Sequence, residues 1–130
     1  MSKAGLKIIS DAMESLGFAY SFMRFDVAEG EKAPDAYFVG EYQETEPISE
    51  SGLQESTFLL TGFTRKSWLL LEDAKEVISA YFNKVGGHTV IADDGSAVAV
   101  FYSNSLVVPT EDAELKRIQI NLDVKEWSVK

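Results

Sequence analysis

The sequence predicts an α+β fold in which two helices pack on one face of a mainly antiparallel sheet, in the order α-β-β-β-α-β-β-β. Two stretches carry apolar residues at helical spacing, and several others alternate apolar and polar residues as strands do. The strands occur in runs instead of alternating one by one with helices, which favours α+β over a parallel α/β sheet. With 130 residues, 45% hydrophobic and 25% charged, the chain is expected to form a single domain over residues 1–130.

The first helix is predicted over residues 6–16. Its apolar residues recur every three or four positions and build one stripe: Leu6, Ile9, Met13 and Leu16. Gly17 follows the last of them, and glycine is the residue that most readily adopts the left-handed conformation just past a helix end.

Three strands are predicted next, over residues 18–25, 36–43 and 55–64. Aromatic and β-branched residues are frequent in all three. Residues 26–35 contain glycine and proline and are expected to form a loop. The second and third strands are expected to pair as a hairpin, with a long acidic loop at about residues 44–54 at its tip. Loops of this length in compact domains are mostly functional or disordered.

A second helix is predicted from an N-cap at Ser67 to about Asn83. Its apolar residues at helical spacing are Leu70, Ala74, Val77, Ile78, Tyr81 and Phe82. Gly86 and Gly87 follow and are expected to end it.

The last part of the chain predicts three more strands. Residues 88–93 and 96–102 flank Asp94-Gly95, a dipeptide typical of two-residue hairpin turns. A further short piece is expected at residues 106–108. Residues 115–127 alternate strictly from Arg117 onward, so one face of this strand is expected to be buried and the other to meet water.

Negative charge is concentrated in one part of the chain. The net charge is −9, from 12 basic and 21 acidic residues. Residues 26–56 contain nine acids and one base, Lys32, and so account for −8 of it. An acidic surface repels the phosphate backbone, and there is no basic stripe, so specific nucleic-acid binding is not expected. The segment is either a solvated loop or a surface that repels DNA or meets a basic partner.

The search for catalytic chemistry finds no motif. The chain has no cysteine and one histidine, His88, and it lacks nucleotide-binding, zinc-protease and nucleophile-elbow signatures. We therefore predict no catalytic, cofactor-binding or metal-binding residues, no cofactor and no enzyme activity. No apolar run approaches the 18 residues of a membrane span, so no membrane partner is expected.

The layout resembles the tail terminator proteins of long-tailed phages and prophages, also called tail-completion or minor tail proteins. The similarity is one of length and architecture and extends over nearly the whole chain. The matching parts are the helix at 6–16, the stretch Pro34-Asp35-Ala36-Tyr37-Phe38-Val39, the loop at 44–54, the strand at 57–63, the helix at 68–83 and the strand at 118–124.

This resemblance implies structural work in virion assembly. Such proteins form a ring, typically a hexamer, that caps the head-proximal end of the tail tube and joins it to the head or neck. The implied partners are further copies of the chain, the tail tube protein and a head-completion or neck protein, while DNA only passes through the lumen. The implied location is the host cytoplasm during assembly and then the head-proximal end of the virion tail.

Seven residues are candidates for the pore or for contacts between subunits. Glu44, Glu46 and Glu50 lie in the acidic loop and Glu55 follows it, and acids lining a lumen would let DNA slide without sticking. Arg65 and Lys66 are either solvated or positioned to meet the acidic loop of a neighbouring copy. Trp68, like Trp127, is either an interface anchor or a cover for the edge of the core.

Two other functions stay open at this point. A head-completion or neck protein would share the same setting with the opposite partner surface. An acidic immunity or inhibitor protein would use the same segment to attract a basic partner. An inhibitor should be a monomer that binds one partner tightly, whereas a terminator should self-assemble or bind the tail tube.

Overall fold

The computed structural model describes residues 1–27, 29–45, 50, 52–83, 85–92 and 95–128. These residues form two helices and six strands, and the predicted α+β class is confirmed. In chain order the elements are α1 (Lys3–Ser15), β1 (Tyr20–Phe22), β2 (Ala36–Glu44), β3 (Leu53–Thr64), α2 (Trp68–Tyr81), β4 (His88–Ile91), β5 (Ala97–Val108) and β6 (Lys116–Trp127).

The six strands form one sheet in the order β1-β2-β3-β6-β5-β4. All neighbouring strands are antiparallel except β1 and β2, which run parallel. The predicted hairpin of β2 and β3 is present, and its connection is shorter than predicted because β2 runs to Glu44 and β3 begins at Leu53. The two long strands β3 and β6 lie at the centre of the sheet.

Both helices cover the same face of this sheet, which we call the inward face. Alternate residues of β3 and β6 are buried there, in keeping with the period of two predicted for the last strand. They pack in one cluster with buried side chains of both helices, listed here together: Ile9, Met13, Ala74, Ile78, Phe58, Leu60, Ile120 and Leu122. Neither helix of the described part of the chain covers the opposite side, which we call the outer face.

The first helix begins three residues earlier than predicted. The side chain of Ser2 accepts a hydrogen bond from the N–H of Gly5 at 3.0 Å and so caps the helix at Lys3. The predicted end is confirmed, because Gly17 has a φ of +82°.

The first strand is much shorter than the predicted 18–25. Only Tyr20–Phe22 pairs, and Met23 takes a φ of 69°, which turns the chain out of the strand direction. Phe25 then stacks on Tyr37, with ring centroids 4.9 Å apart. The alternation of aromatic residues over 18–25 therefore reflects two packing sites and not one continuous strand.

The second helix starts as predicted but presents a different stripe to the core. Ser67 accepts a hydrogen bond from the N–H of Leu69 at 3.1 Å. The prediction was wrong for Leu70 and Val77, which are 39% and 44% exposed, whereas Leu71 is fully buried. The run of leucines allows two helical phases, and contact with the sheet selects the one that buries Leu71.

The second helix also ends at Tyr81 and not near Asn83. Phe82 leaves the helical conformation with a ψ of 50°, and its ring is fully buried. Its carbonyl oxygen accepts the N–H of Tyr102 at 2.6 Å. Packing of one aromatic residue against β5 thus stops the helix before the two glycines.

The predicted strand at 96–102 and the short piece at 106–108 are one strand. A register shift between Tyr102 and Asn104 inserts an extra residue, a β-bulge, and β5 continues to Val108. β4 and β5 form the predicted hairpin, but its connection is one residue longer than the predicted two-residue turn, because Ala92 and not Asp93 lies opposite Ser96. The predicted turn residues Asp93 and Asp94 lie outside the described residues.

Two glycines leave room for aromatic rings on the inward face. A Cβ at Gly40 would lie 2.5 Å from the Phe58 ring and 2.5 Å from the Tyr20 hydroxyl. A Cβ at Gly62 would lie 2.6 Å from the Phe38 ring. These strand glycines are therefore sites of close approach between backbone and ring.

Candidate interaction surface

Carboxylates gather at one end of the sheet, where β2 ends, β3 begins and β6 ends. We call this the acidic end and define it by Glu44, Glu50, Glu55 and Asp123. Glu44 faces Ser56 across the ladder, and Asp123 faces Thr57. In the described part of the chain, Lys125 lies directly opposite Glu55, and the ammonium of Met1 lies 2.8 Å from Glu44 Oε1. The strand register thus places Glu44 on the inward face, and Glu55 and Asp123 on the opposite face, of the same end of the sheet.

The structure places the predicted acidic residues in different settings. Glu44 is exposed at the last position of β2, and Glu50 is exposed in the connection that follows. Glu55 belongs to β3, is partly buried, and accepts the N–H of Thr45 through its carbonyl oxygen at 3.2 Å. Glu46 lies outside the described residues.

The predicted basic residues lie at the opposite end of β3. The 12 residues of this strand span about 36 Å, so Arg65 and Lys66 do not meet the acidic end of their own chain. Arg65 Nη1 donates to Asp112 Oδ2 at 2.7 Å. This hydrogen bond raises the pKa of Arg65 and lowers the pKa of Asp112. Arg65 is therefore paired with an acid of its own chain although its side chain is 59% exposed, and Lys66 is exposed as well.

A cleft of about 300 Å³ lies beside Arg65 and Lys66. Its other lining residues include Lys32, Asp35 and Tyr37. The bases Lys32, Arg65 and Lys66 outnumber the acid Asp35 in this lining, and Arg65 is also paired with Asp112, so the wall has an excess of positive charge.

The two tryptophans also lie at opposite ends of the sheet. Trp68 opens α2 next to Arg65 and Lys66 and is 37% exposed. Trp127 ends β6 opposite Leu53 and Ala97 and is 38% exposed. Each ring lies partly against the protein and partly in solvent, so each is accessible to a partner.

One buried carboxylate was missed by the sequence interpretation. Glu126 is 7% exposed on the inward face, under the start of α1. Its carboxylate accepts the N–H of Ser2 at 3.1 and 3.2 Å and also the Ser2 hydroxyl. A carboxylate at this place is favoured by the positive end of the helix dipole. Its position in the alternating pattern of β6, two residues after Val124, was the available signal.

Tyr20 is the second residue with an unusual environment. Its phenol lies over Gly40 on the inward face, and burial raises its pKa to about 12, from the ordinary value of 10.0. Burial disfavours the phenolate because the charge would leave water.

Tyr20 gives a prediction for alkaline pH. Between pH 10 and about 12 the unfolded chain loses this proton while the folded chain retains it. The contribution of the protonated phenol to the stability of the folded chain is therefore complete below pH 10 and is lost as the pH rises toward 12. We expect urea midpoints measured at about pH 8 and about pH 11 to fall less for Tyr20→Phe than for the wild type. An equal fall in both proteins would contradict this assignment.

The described residues contain no group of three histidine, cysteine or acidic side chains arranged to hold a metal ion. Among the helices in that part of the chain, none is long and apolar enough to cross a membrane. The sequence matches no protein-family model and none of the curated proteins with which it was compared.

Proposed function

We propose that this chain is a structural subunit of a phage or prophage virion, a tail terminator that assembles into a ring and caps the head-proximal end of the tail tube. The observation that carries the proposal is the acidic end, where the pairing of β2, β3 and β6 places Glu44, Glu55 and Asp123 at one end of the sheet, with Glu50 in the connection between β2 and β3. The architectural resemblance described above supplies the biological setting.

The charge at this end favours passage of DNA over binding of DNA. Among the described residues, Lys125 lies opposite Glu55 and the Met1 ammonium lies beside Glu44. A ring repeats the charge of this end around an axis, and a channel lined by one sign of charge focuses the field within it. Duplex DNA carries one negative charge per 1.7 Å of its axis, so an acidic wall repels it and keeps it from sticking.

Self-assembly and capping are tested with purified components. The native mass is measured by light scattering after gel filtration over a concentration series, alone and with tail tube protein from the same genome. We expect closed multimers of several subunits, and shorter tubes in electron micrographs when the chain is added during tube polymerisation. A strict monomer that leaves tube length unchanged and binds one basic protein tightly would favour the inhibitor function instead.

The role of the acidic end is tested by removing its charge. We expect the triple variant Glu44→Gln, Glu50→Gln, Glu55→Gln to lower the infectivity of phage that carry it by about tenfold or more, the effect of about 1.4 kcal/mol on one step. A matched variant, Glu76→Gln, Glu111→Gln, Glu114→Gln, removes three charges from exposed positions elsewhere and should behave as the wild type. Equal infectivity of the two variants would argue against the proposal.

A further inference from the structure

The sheet has an open edge along the second half of β5. β4 pairs only with β5 residues 97–100, and the N–H of Tyr102 is taken by the carbonyl of Phe82. Beyond that point no described strand lies beside β5 on the side away from β6. Residues 103–108 thus form an unpaired edge.

The register shows which main-chain groups point out from this edge. In an antiparallel ladder, alternate residues direct both their N–H and C=O toward one neighbour or the other. The main-chain N–H of Tyr102 points away from β6, toward Phe82. Because the β-bulge shifts the register by one residue, the residues after it whose main-chain groups point away from β6 are Ser105 and Val107. No described residue bonds to the main-chain N–H or C=O of either residue on the open side.

The opposite edge of the sheet, β1, is open as well. The carbonyl of Ala19 accepts the N–H of Phe38 at 2.9 Å, and the N–H of Met23 donates to Gly40 at 2.7 Å. The main-chain N–H and C=O groups of the odd-numbered residues therefore point toward β2. Those of Tyr20 and Phe22 point outward, away from the sheet. Among the described residues none bonds to these outward groups.

The two open edges lie at the same level along the strand direction, which we call height. Residues that are directly opposite one another on neighbouring strands have the same height. One row of partners is Tyr20, Phe38, Gly62, Ile118 and Val107, and the other is Phe22, Gly40, Leu60, Ile120 and Ser105. Three antiparallel pairings separate β1 from β5, so the two edge strands run in opposite directions. Their outward groups therefore match as the two sides of an antiparallel ladder.

We propose that the open edge of β5 in one copy pairs with β1 of the next copy, with Ser105 opposite Phe22 and Val107 opposite Tyr20. The two bonded pairs supply four hydrogen bonds and continue the sheet from one subunit to the next. Because two different edges join, the contact is heterologous, and such a contact closes into a ring when its rotation closes. That the strand beside β5 comes from a second copy of this chain rests on the proposed function.

The outline of the sheet leaves space for this contact. β4 and the neighbour's β1 would occupy the same strand position beside β5. The segment before β4 lies nearer to this contact than β4 itself: Phe82, whose carbonyl accepts the N–H of Tyr102, lies at the height of Leu122, Phe58 and Tyr42. That is two residues, about 7 Å, from the height of Gly40 and Phe22. Ser105 and Val107 therefore lie on the free side of Phe82, where the neighbour's β1 would pair.

The composition of the two edges indicates that they are covered. Residues 18–23 and 101–108 contain no charged residue and no proline, in a chain of net charge −9. Leu106 and Val107 are exposed on β5, and Phe22 is exposed on β1. Soluble proteins protect free edges with charge, proline or a covering segment, and an unprotected edge pairs with another strand.

A disulfide tests the register directly, since the chain has no cysteine of its own. In the proposed contact Ser21 and Leu106 are directly opposite between the bonded pairs, where Cα atoms are about 4.5 Å apart. This separation allows a disulfide. We expect the double variant Ser21→Cys, Leu106→Cys to form covalent multimers on oxidation, while each single variant stays monomeric on a non-reducing gel. A covalent dimer of Leu106→Cys alone would overturn the proposal in favour of two-fold pairing of β5.

A second variant tests one hydrogen bond without relying on the disulfide. Val107→Pro removes an N–H that points away from β6, and proline is tolerated at such edge positions. We expect self-association to weaken by roughly 2- to 10-fold per interface, the effect of one hydrogen bond. Val107→Ala, which keeps the N–H, should associate more tightly than Val107→Pro, and circular dichroism checks that each variant is folded.

The outcomes separate this inference from the proposed function. Multimers of the wild type without a disulfide in the double variant would overturn the edge assignment and leave the ring standing. A wild type that stays monomeric at every concentration and leaves tube length unchanged, together with no disulfide in the double variant, would overturn both.

Discussion

Gly40→Ala is expected to lower the free energy of unfolding by about 1–3 kcal/mol, the usual cost of overpacking a core. The new methyl group would lie 2.5 Å from the Phe58 ring and 2.5 Å from the Tyr20 hydroxyl, too close for any Cβ contact. Phe58 is fully buried and cannot move without disturbing its neighbours. Urea denaturation followed by circular dichroism measures the loss.

Two further variants show whether the clash is the cause. Gly86→Ala places its methyl group where nothing lies within 4 Å, so its stability should stay close to that of the wild type. Phe58→Leu shortens the side chain over Gly40, so Gly40→Ala should cost less in that background. A cost that is the same in both backgrounds would mean that the ring and the glycine are not coupled.

Glu126→Leu is expected to lower the free energy of unfolding by about 1.5–3 kcal/mol, the range for a hydrogen bond to a charged group. The substitution removes the acceptor of the Ser2 N–H and hydroxyl and leaves the start of α1 without its link to β6. Amide hydrogen exchange should become faster in the first turn of α1 and stay unchanged in α2.

Glu126→Gln is the matched variant for the charge. It retains one oxygen acceptor but loses the negative charge at the helix start, so an intermediate loss of stability is expected. If Glu126→Leu were as stable as the wild type with unchanged exchange in α1, the contact with Ser2 would have no energetic role.

Local signals in the sequence predicted much of this fold. Strict alternation placed β6, and a serine before an apolar run placed the start of α2 at Ser67. Gly17 was predicted to end the first helix because glycine readily adopts a positive φ, and its φ is positive. Each of these features depends on residues close together in the sequence, where hydrogen-bond geometry and side-chain size decide the conformation.

Features that depend on distant partners were not predictable in the same way. Leu71 is buried and Leu70 is not because of how α2 meets the sheet, and both residues look alike in the sequence. The three-residue length of β1 depends on its parallel pairing with β2. In the candidate surface, the acids of the hairpin were visible, but the match between the edges of β1 and β5 requires the register of all the intervening strands.

The central position of β3 and β6 has a consequence for synthesis of the chain. Thr64 ends β3, and β6 begins 52 residues later at Lys116. At about 5–20 residues per second the ribosome needs roughly 3–10 s to make this stretch. During that interval β3 has β2 on one side and no partner on the other. The central strand β3 therefore gains its second neighbour only when β6, the last of the described strands, has been made, and until then one of its edges is open to pairing with another chain.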